Sequence, residues 1–177
     1  NINSLRNKFE ALKYIIKDNI AILIVTESKL DNYFPINQFL IDGYAPPFRL
    51  DRSKNGGGII IYIREDLPGI QLKHHPSPLN FEGIFFKINL RKAKWLVYGV
   101  YNPSKHTIVE FLNKLSTCID HYLSKYEHLL LLGDFNCEMS EKAMIEFCET
   151  YNLKNLIKDP TSFKNIQNPS TIDFILK

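Results

Sequence analysis

The sequence predicts an α/β fold in which two mixed β-sheets pack face to face and helices cover their outer surfaces, giving four layers (α/β/β/α). The first observation behind this prediction is the order of the apolar segments, which runs helix, strand, loop, three strands, helix, strand, helix, strand. Strands that follow one another without an intervening helix belong to mixed or antiparallel sheets. The second observation is that several strand-like segments are continuously apolar. Both faces of such strands need cover, which a second sheet and outer helices provide.

The composition is that of a single globular domain spanning residues 1–177, with 45% hydrophobic and 23% charged residues. No apolar run approaches the ~20 residues that cross a bilayer, so no membrane partner is expected. The net charge of +3 is compatible with a polyanionic partner, but the basic residues are scattered, and a solvated surface is the simpler interpretation. Three cysteines (Cys118, Cys137 and Cys148) form neither a disulfide framework nor a zinc motif, which predicts a reducing compartment, nuclear or cytoplasmic.

The N-terminal half is expected to contain one helix and four strands. Apolar residues at three- and four-residue intervals between Leu5 and Ile16 predict the helix, with Ser4 as its N-cap. Continuous or β-branched apolar runs predict strands over residues 20–26, 56–63, 81–89 and 94–101. The second of these strands follows a glycine turn, and a basic turn at Arg91 and Lys92 joins the last two.

The C-terminal half is expected to alternate helices and strands. A long amphipathic helix is predicted over residues 108–123, because its apolar side chains share one face. The segment HLLLLGDFN from His128 to Asn136 reads as a buried strand that ends in polar residues. A short helix around Glu141–Tyr151 and a final strand over Thr171–Leu176 complete the order.

Acidic and amide side chains end or interrupt three of the buried strands. Glu27 terminates ILIVTES, Asp134 and Asn136 end the leucine-rich strand, and Asp173 occurs within the apolar run TIDFIL. Taken alone, Glu27 is more often a solvated strand end, and Gly-Asp-x-Asn is more often an Asx turn. Residues two apart in an extended chain point to one side, so Asp134 and Asn136 are expected to project from the same sheet edge.

Together these acids form a more specific pattern than any one of them. Ionised carboxylates at buried positions need a cation or hydrogen bonds to offset their desolvation. Oxygen ligands without cysteine or clustered histidine suit Mg²⁺ or Mn²⁺. Mg²⁺ commonly uses one or two protein carboxylates together with a substrate phosphate, so the pattern indicates hydrolysis of a phosphate ester.

Seven short motifs extend this pattern over nearly the whole chain: NINSL (1–5), TESKL (26–30), KNGGGIIIYIRE (54–65), VYNPS (100–104), LLGDFN (131–136), DPTSF (159–163) and STIDFIL (170–176). By these motifs, in this order, the sequence resembles the endonuclease/exonuclease/phosphatase superfamily. Within that superfamily it resembles the endonuclease domain of non-LTR (LINE-type) retrotransposons, chiefly through the glycine run after a lysine. The resemblance implies a DNase I-like fold, a DNA substrate, Mg²⁺ or Mn²⁺, and a reverse transcriptase further along the full-length protein.

The resemblance also implies roles for residues that match the family motifs. Glu27 would be the principal metal ligand, with Asn1 beside it. Tyr101 would hydrogen-bond the scissile phosphate.

A second set of matched residues would act on the phosphate from the other side. Asp134 would activate or protonate the attacking or leaving oxygen. Asn136 would hold the phosphate, and Asp173 would orient a catalytic histidine. Thr161 and Ser170 match supporting hydroxyls near the phosphate.

The sequence departs from the family at its C-terminal end. The family's Ser-Asp-His motif does not follow the last matched strand, because the sequence ends at Lys177. None of the five histidines matches that motif (His74, His75, His106, His121 and His128). The resemblance therefore implies a domain that lacks its last strand or strands. Two alternatives remain open: a superfamily phosphatase or phosphodiesterase acting on a substrate other than nucleic acid, and an inactive fragment.

Overall fold

Two sheets and three helices make up the fold, in a computed structural model that describes residues 1–16, 20–67, 69–72, 82–103, 107–163 and 165–177. The helices are α1 (Phe9–Ile15), α2 (Ile108–Leu123) and α3 (Lys142–Thr150), and a short 3₁₀ helix spans Ile36–Phe39. The strands are β1 (Ile22–Thr26), β2 (Phe48–Leu50), β3 (Ile59–Ile63), β4 (Gly69–Gln71), β5 (Glu82–Leu90), β6 (Ala93–Tyr101), β7 (His128–Asp134) and β8 (Asp173–Leu176). The predicted α/β fold class is confirmed.

The smaller sheet has three strands in the order β1-β3-β2, and both of its strand pairs are antiparallel. All five residues of the central strand β3 are buried. Ile59, Ile61 and Ile63 pack against the other sheet. Ile60 and Tyr62 pack with α1 on the opposite face. Cover on both faces is why this strand is a continuous apolar run and does not alternate with polar residues.

The larger sheet has five strands in the order β4-β5-β6-β7-β8 and is mixed. β5 and β6 form a hairpin whose turn residues, Arg91 and Lys92, both have positive φ (52° and 70°), as a two-residue hairpin turn of type I′ requires. β7 runs parallel to β6, and β8 is antiparallel to β7. In this register Tyr101 lies opposite Asp134, and Asp134 lies opposite Asp173. The ends of three strands therefore meet at one edge of the sheet.

Helices cover the outer face of each sheet, as the four-layer prediction requires. α2 and α3 bury apolar side chains, Phe111 and Met144 among them, in a common cluster with β5 to β8. Thr107 caps α2, because its hydroxyl accepts a hydrogen bond from the backbone N–H of Glu110. α1 packs on the smaller sheet. Across the described ranges, no helix has the length and apolar character needed to span a membrane. The three cysteines are buried and unpaired.

Several predicted boundaries differ from the observed ones. Ser4 is not a helix cap: its φ is +85°, and the helix starts only at Phe9. The reason is that the backbone N–H groups of Ser4 and Leu5 bond to the carbonyls of Glu27 and Ser28, which holds this segment along the smaller sheet. β2 and β4 were not predicted, since three residues carry too little periodicity.

The third and the last predicted strands also differ at their starts. Asp173 is the first residue of β8, and it does not lie in the middle of an apolar strand as the sequence suggested. Residue 81, where the third strand was predicted to begin, lies outside the described residues.

Gly133 is expected to tolerate no side chain. Its φ is +147°, and a Cβ built on it would lie 1.8 Å from the carbonyl oxygen of Val100 in the neighbouring strand. We predict that Gly133→Ala lowers the free energy of unfolding by about 3 kcal/mol or more, because the substitution combines backbone strain with a clash between strands. Urea unfolding followed by circular dichroism measures this loss.

Gly43→Ala is the matched control, since Gly43 also has a positive φ (+81°) but no atom lies within 4 Å of a built Cβ. Its expected loss is about 1 kcal/mol, from backbone strain alone. Equal losses in the two variants would contradict the close approach of β6 and β7.

Candidate active site

The candidate active site lies where strand ends from both sheets meet. β1 of the smaller sheet ends next to Glu27, and β6, β7 and β8 of the larger sheet bring Tyr101, Asp134 and Asp173 to the same place. A cavity of about 230 Å³ opens beside them between β1 on one side and β7 and β8 on the other. Its polar lining residues are Asn1, Thr26, Asp134, Thr161 and Asp173. The predicted convergence of strand-end acids is thus present in the geometry.

Asp134 is the most deeply buried acid of this site, with 1% of its surface exposed. Its Oδ2 accepts a hydrogen bond of 3.0 Å from Asn1 Nδ2, and its Oδ1 accepts one of 3.0 Å from the backbone N–H of Asn136. Burial raises the pKa of the Asp134 carboxyl; the bond from Asn1 opposes that rise and the charge of Asp173 adds to it. The backbone nitrogen of Asn1 also lies 4.0 Å from Asp173 Oδ1. Asn1 therefore bonds Asp134 through its side chain and lies next to Asp173.

Glu27 and Tyr101 form the second half of the site. The Tyr101 hydroxyl donates a hydrogen bond of 2.8 Å to Glu27 Oε1, which joins the smaller sheet to the larger one. Burial, and then the hydrogen bond to Glu27, raise the pKa of Tyr101, so the phenol remains a neutral donor. Glu27 has a φ of +54°, a left-handed conformation that is unfavourable for a non-glycine residue. Strain of this kind concentrates at functional sites.

Asn136 is placed by the Asx turn that the sequence left open as an alternative, and not by strand alternation. β7 ends at Asp134, and Asn136 has a φ of +51°, so the two side chains are not related by strand alternation. The bond from the Asn136 N–H to Asp134 Oδ1 is instead that of an Asx turn. The Asn136 side chain donates to the carbonyl of Asn102 at 2.7 Å. The turn and the site are therefore the same feature.

The two predicted supporting hydroxyls differ in position. Thr161 Oγ1 accepts hydrogen bonds from the backbone N–H groups of Ile172 (3.2 Å) and Asp173 (3.1 Å), so it fixes the start of β8. Ser170 pairs through its backbone with Ser162. Ser170 also lines a separate cavity of about 330 Å³. The structure brings Thr161 into the cluster. Ser170 contacts Thr161 through its backbone carbonyl, at 3.0 Å from the Thr161 nitrogen, and the role of its hydroxyl stays a prediction.

Two histidines of the described residues lie away from the site. His121 is exposed on α2, and His128 is exposed at the opposite end of β7 from Asp134, where its ring packs 4.4 Å from that of Trp95. His74, His75 and His106 lie outside the described residues. The histidine that the resemblance pairs with Asp173 therefore has no counterpart in the described part of the chain.

Sequence reasoning missed two buried polar residues at this site. Asn102 donates from Nδ2 to the carbonyl of Phe135 at 2.9 Å and is 2% exposed. Glu82 is 7% exposed and lies directly across from Tyr101 in the β5–β6 pair. Burial raises the pKa of Glu82, against the N–H of Gly58 and the charge of Arg52. The available signal was an acid at the start of an apolar strand, whereas Glu27 was recognised at the end of one.

The donor chemistry of the site fits a hard divalent cation. No group of three acidic, histidine or cysteine side chains in the described part of the chain is arranged as a metal cluster. A site for Mg²⁺ or Mn²⁺ needs few protein ligands, because water and a substrate phosphate complete the coordination. Three buried oxygens also lack a hydrogen-bond partner in the described ranges: Thr26 Oγ1 and Ser28 Oγ on either side of Glu27, and Asn102 Oδ1 next to Tyr101. Unsatisfied buried oxygens are expected where a ligand completes the site.

The fold and the site together define an α/β sandwich with an acidic cleft between its two sheets. No protein-family model matches the sequence, and no curated protein matches it. Solved structures do. The endonuclease domain of TRAS1, a telomere-specific non-LTR retrotransposon, is 15% identical with a TM-score of 0.68, and the match covers 97% of this chain and 78% of that one.

Two further structures have the same architecture. The 3′-5′ exonuclease NExo from Neisseria meningitidis is 17% identical with a TM-score of 0.67, covering 99% of this chain and 84% of that one. The catalytic domain of Xenopus laevis APE2 is 13% identical with a TM-score of 0.68, covering 99% and 80%. The chain therefore has the DNase I-like fold of the endonuclease/exonuclease/phosphatase superfamily, and the resemblance drawn from the sequence motifs is confirmed for the fold.

The buried carboxyl of Asp134 is expected to make stability depend on pH. Its folded-state pKa is raised above the ordinary value of 3.8, so folding favours the protonated form. The stability from this preference is complete below the unfolded pKa and is lost as the pH rises through the folded-state pKa. An amide does not titrate. We therefore predict that the unfolding free energy of Asp134→Asn, relative to that of the unsubstituted chain, increases from pH 4 to pH 7.

Urea unfolding at several pH values measures this difference. Asp66→Asn is the control, because Asp66 is exposed and its hydrogen bond with Arg64 lowers its pKa. The control should show no increase. A difference for Asp134→Asn that stays constant across this range would show that burial does not perturb the carboxyl.

Proposed function

We propose that this chain is a metal-dependent endonuclease domain that hydrolyses phosphodiester bonds in DNA, of the kind that non-LTR retrotransposons use to nick their target. The observation that supports this most directly is the gathering of Glu27, Asp134 and Asp173 at one end of the cleft between the sheets. The named similar structures include a retrotransposon endonuclease domain, and a Neisseria NExo structure contains a product DNA hairpin. A DNA substrate for this chain is inferred from them.

Glu27 and Asn1 are the residues that would hold Mg²⁺ or Mn²⁺. When bound, the ion would neutralise negative charge that develops on the phosphate during hydrolysis. The strained backbone of Glu27 and the bond from Tyr101 fix the carboxylate before any ligand arrives. Such preorganisation reduces the rearrangement needed during the reaction.

Asp134 would exchange a proton with the attacking or the leaving oxygen. A carboxyl whose pKa is raised by burial is better suited to proton transfer near neutral pH than an exposed one. Asn1 bonds one of its two oxygens and the N–H of Asn136 bonds the other, so the orientation of the carboxyl group is fixed.

Two further residues would position the phosphate. Tyr101 stays protonated because burial and Glu27 raise its pKa. Its one hydroxyl proton, which it donates to Glu27 in this structure, would turn to a phosphate oxygen once the substrate binds. Asn136 would hold a second phosphate oxygen. Asp173, which begins β8, would orient the histidine of a Ser-Asp-His sequence downstream of residue 177, and a reverse transcriptase would follow in the full-length protein. A reducing compartment, nuclear or cytoplasmic, is part of the same proposal.

The proposal is tested by nicking of supercoiled plasmid with Mg²⁺, using both the 177-residue chain and the chain carrying its natural downstream sequence. We predict that Glu27→Gln and Asp134→Asn each reduce the nicking rate by at least about 100-fold, because they remove a metal ligand and a proton-transfer group. Agarose gels resolve nicked from supercoiled plasmid and give the rate.

Glu10→Gln and Asp66→Asn are the matched controls, since both acids are exposed and lie outside the cleft. They should nick at the unsubstituted rate. Nicking that survives Glu27→Gln and Asp134→Asn would reject the site. Turnover of an inositol phosphate or sphingomyelin without nicking would favour a phosphatase instead. If only the longer chain nicks the plasmid, the downstream sequence supplies a group that the reaction needs, such as the histidine proposed to pair with Asp173.

A further inference from the structure

Glu82 is a buried acid to which the proposed reaction assigns no role. It is the first residue of β5 and lies opposite Tyr101, so its carboxylate lies one strand away from the Glu27–Tyr101 pair. Desolvating a carboxylate is costly unless partners compensate it. The partners that Glu82 has are therefore informative about what it does.

The carboxylate of Glu82 holds an arginine and a glycine segment. Its Oε1 pairs with Arg52 Nη1 at 2.8 Å, and its Oε2 accepts a hydrogen bond from the N–H of Gly58. Arg52 Nε also donates to the carbonyl of Gly56 at 3.0 Å. The guanidinium is thus fixed at two points and folds over the glycines.

The glycine segment has the shape that this arrangement needs. Gly57 has a φ of +71°, and a Cβ built on it would lie 2.3 Å from Arg52 Nε and 2.4 Å from Glu82 Oε1. A side chain at Gly57 would therefore displace either the arginine or the acid. The glycine turn predicted from the sequence therefore also leaves the space in which the Arg52 guanidinium packs.

The same segment is bonded to the backbone that carries Glu27. The N–H of Ser28 donates to the carbonyl of Gly58 at 3.1 Å, and the N–H of Lys29 donates to that of Gly57 at 2.9 Å. Arg52 also acts electrostatically on the site: its charge lowers the pKa of Tyr101, against the larger raising effects of burial and Glu27. The guanidinium therefore lies within electrostatic range of the proposed reaction centre.

We propose that Arg52, oriented by Glu82, binds a phosphate group of the nucleic-acid substrate next to the Glu27–Tyr101 pair. This inference rests on the proposed nuclease function and extends it by one subsite. The Arg52 side chain is 46% exposed, and its Nη2 group makes no hydrogen bond to the described part of the chain. A guanidinium presents five N–H donors in a planar fork that matches phosphate oxygens. Its free edge is available to a phosphate.

A purely structural ion pair has a different form in this protein. Arg64 pairs with Asp66 at 2.6 Å, but there both partners are substantially exposed, at 36% and 64%. The Glu82 side chain, in contrast, is only 10% exposed, while the side chain of the arginine that it holds remains open to solvent. A buried acid contributes little net stability through such a pair. Holding a cation in one position for a ligand accounts for the asymmetry.

A set of DNA duplexes tests the proposal, each with one phosphate replaced by a neutral methylphosphonate. Binding of a fluorescein-labelled duplex is measured by anisotropy without divalent metal, so that no cleavage occurs. For the unsubstituted chain, a methylphosphonate at one phosphate other than the scissile one should lower the affinity about tenfold; we call this loss the penalty. In Arg52→Ala that penalty should disappear, and the slope of log K against log salt should fall by about 1.

Three further variants separate position from charge. Arg52→Lys keeps the charge without the fork, so it should restore the salt slope and only part of the penalty. Glu82→Gln keeps Arg52 but frees it, so the penalty should shrink even though overall affinity does not fall. Arg64→Ala is the matched control. Arg64 is also paired with an acid, but it follows the C-terminal end of β3, whereas the glycine segment precedes the N-terminal end. This variant should show the same penalty and salt slope as the unsubstituted chain.

The outcomes distinguish this proposal from the broader one. If the unsubstituted chain nicks plasmid but Arg52→Ala shows the same penalty pattern and salt slope, the Arg52 subsite is rejected and the nuclease function stands. If Arg52→Ala does not fold, as judged by circular dichroism, Arg52→Gln takes its place, since its amide can still donate to the Gly56 carbonyl. Failure of the unsubstituted chain to bind DNA at all would overturn both proposals.

Discussion

The burial of the Asp134 carboxylate is the constraint on which the arrangement of the site depends. A carboxylate with 1% exposure needs hydrogen bonds that cannot come from water, and two asparagines supply them. Satisfying it places Asn1 against the edge of the larger sheet and closes the turn at Asn136. Asp173 is fixed by the register of β8, and Thr161 holds its backbone. The positions of Asn1 and of the Asn136 turn thus follow from one buried acid, and that of Asp173 follows from the strand register.

The packing of the two sheets against each other is a second constraint, and it depends on a glycine, Gly99. A Cβ built on Gly99 in β6 would lie 2.7 Å from Ile61 Cδ1 and 2.8 Å from Ile24 Cδ1, so side chains of the smaller sheet pack directly onto this glycine. Tyr101 follows two residues later on β6. From there its hydroxyl reaches Glu27, at the end of β1 in the other sheet. Packing in the core therefore determines whether the two halves of the site meet.

The sequence predicts the parts of this protein that depend on periodicity and length. α2 spans the residues of the predicted apolar face. Asp134 lies opposite Asp173, and Tyr101 connects Glu27 to the same end of the sheet. The Ser4 cap is wrong because a tertiary pairing with Glu27 and Ser28 overrides a local preference. Glu82 was missed because one acid at a strand start resembles a solvated edge. Its role depends on Arg52, thirty residues away, which no local pattern connects to it.

The backbone around the site shows why its geometry is not a local property of the sequence. Glu27, Lys29 and Asn136 all have φ near +50°, a conformation that costs roughly 1–2 kcal/mol for each residue with a side chain. These costs are offset by bonds from other elements: Ser4 donates to the Glu27 carbonyl, Lys29 donates to Gly57, and Asn136 donates to Asp134. The acids are thus held by neighbours distant in sequence. Replacing Glu27 or Asp134 by its amide changes the charge while most of the supporting bonds remain, so a loss of activity in such variants would report on chemistry more than on collapse of the cleft.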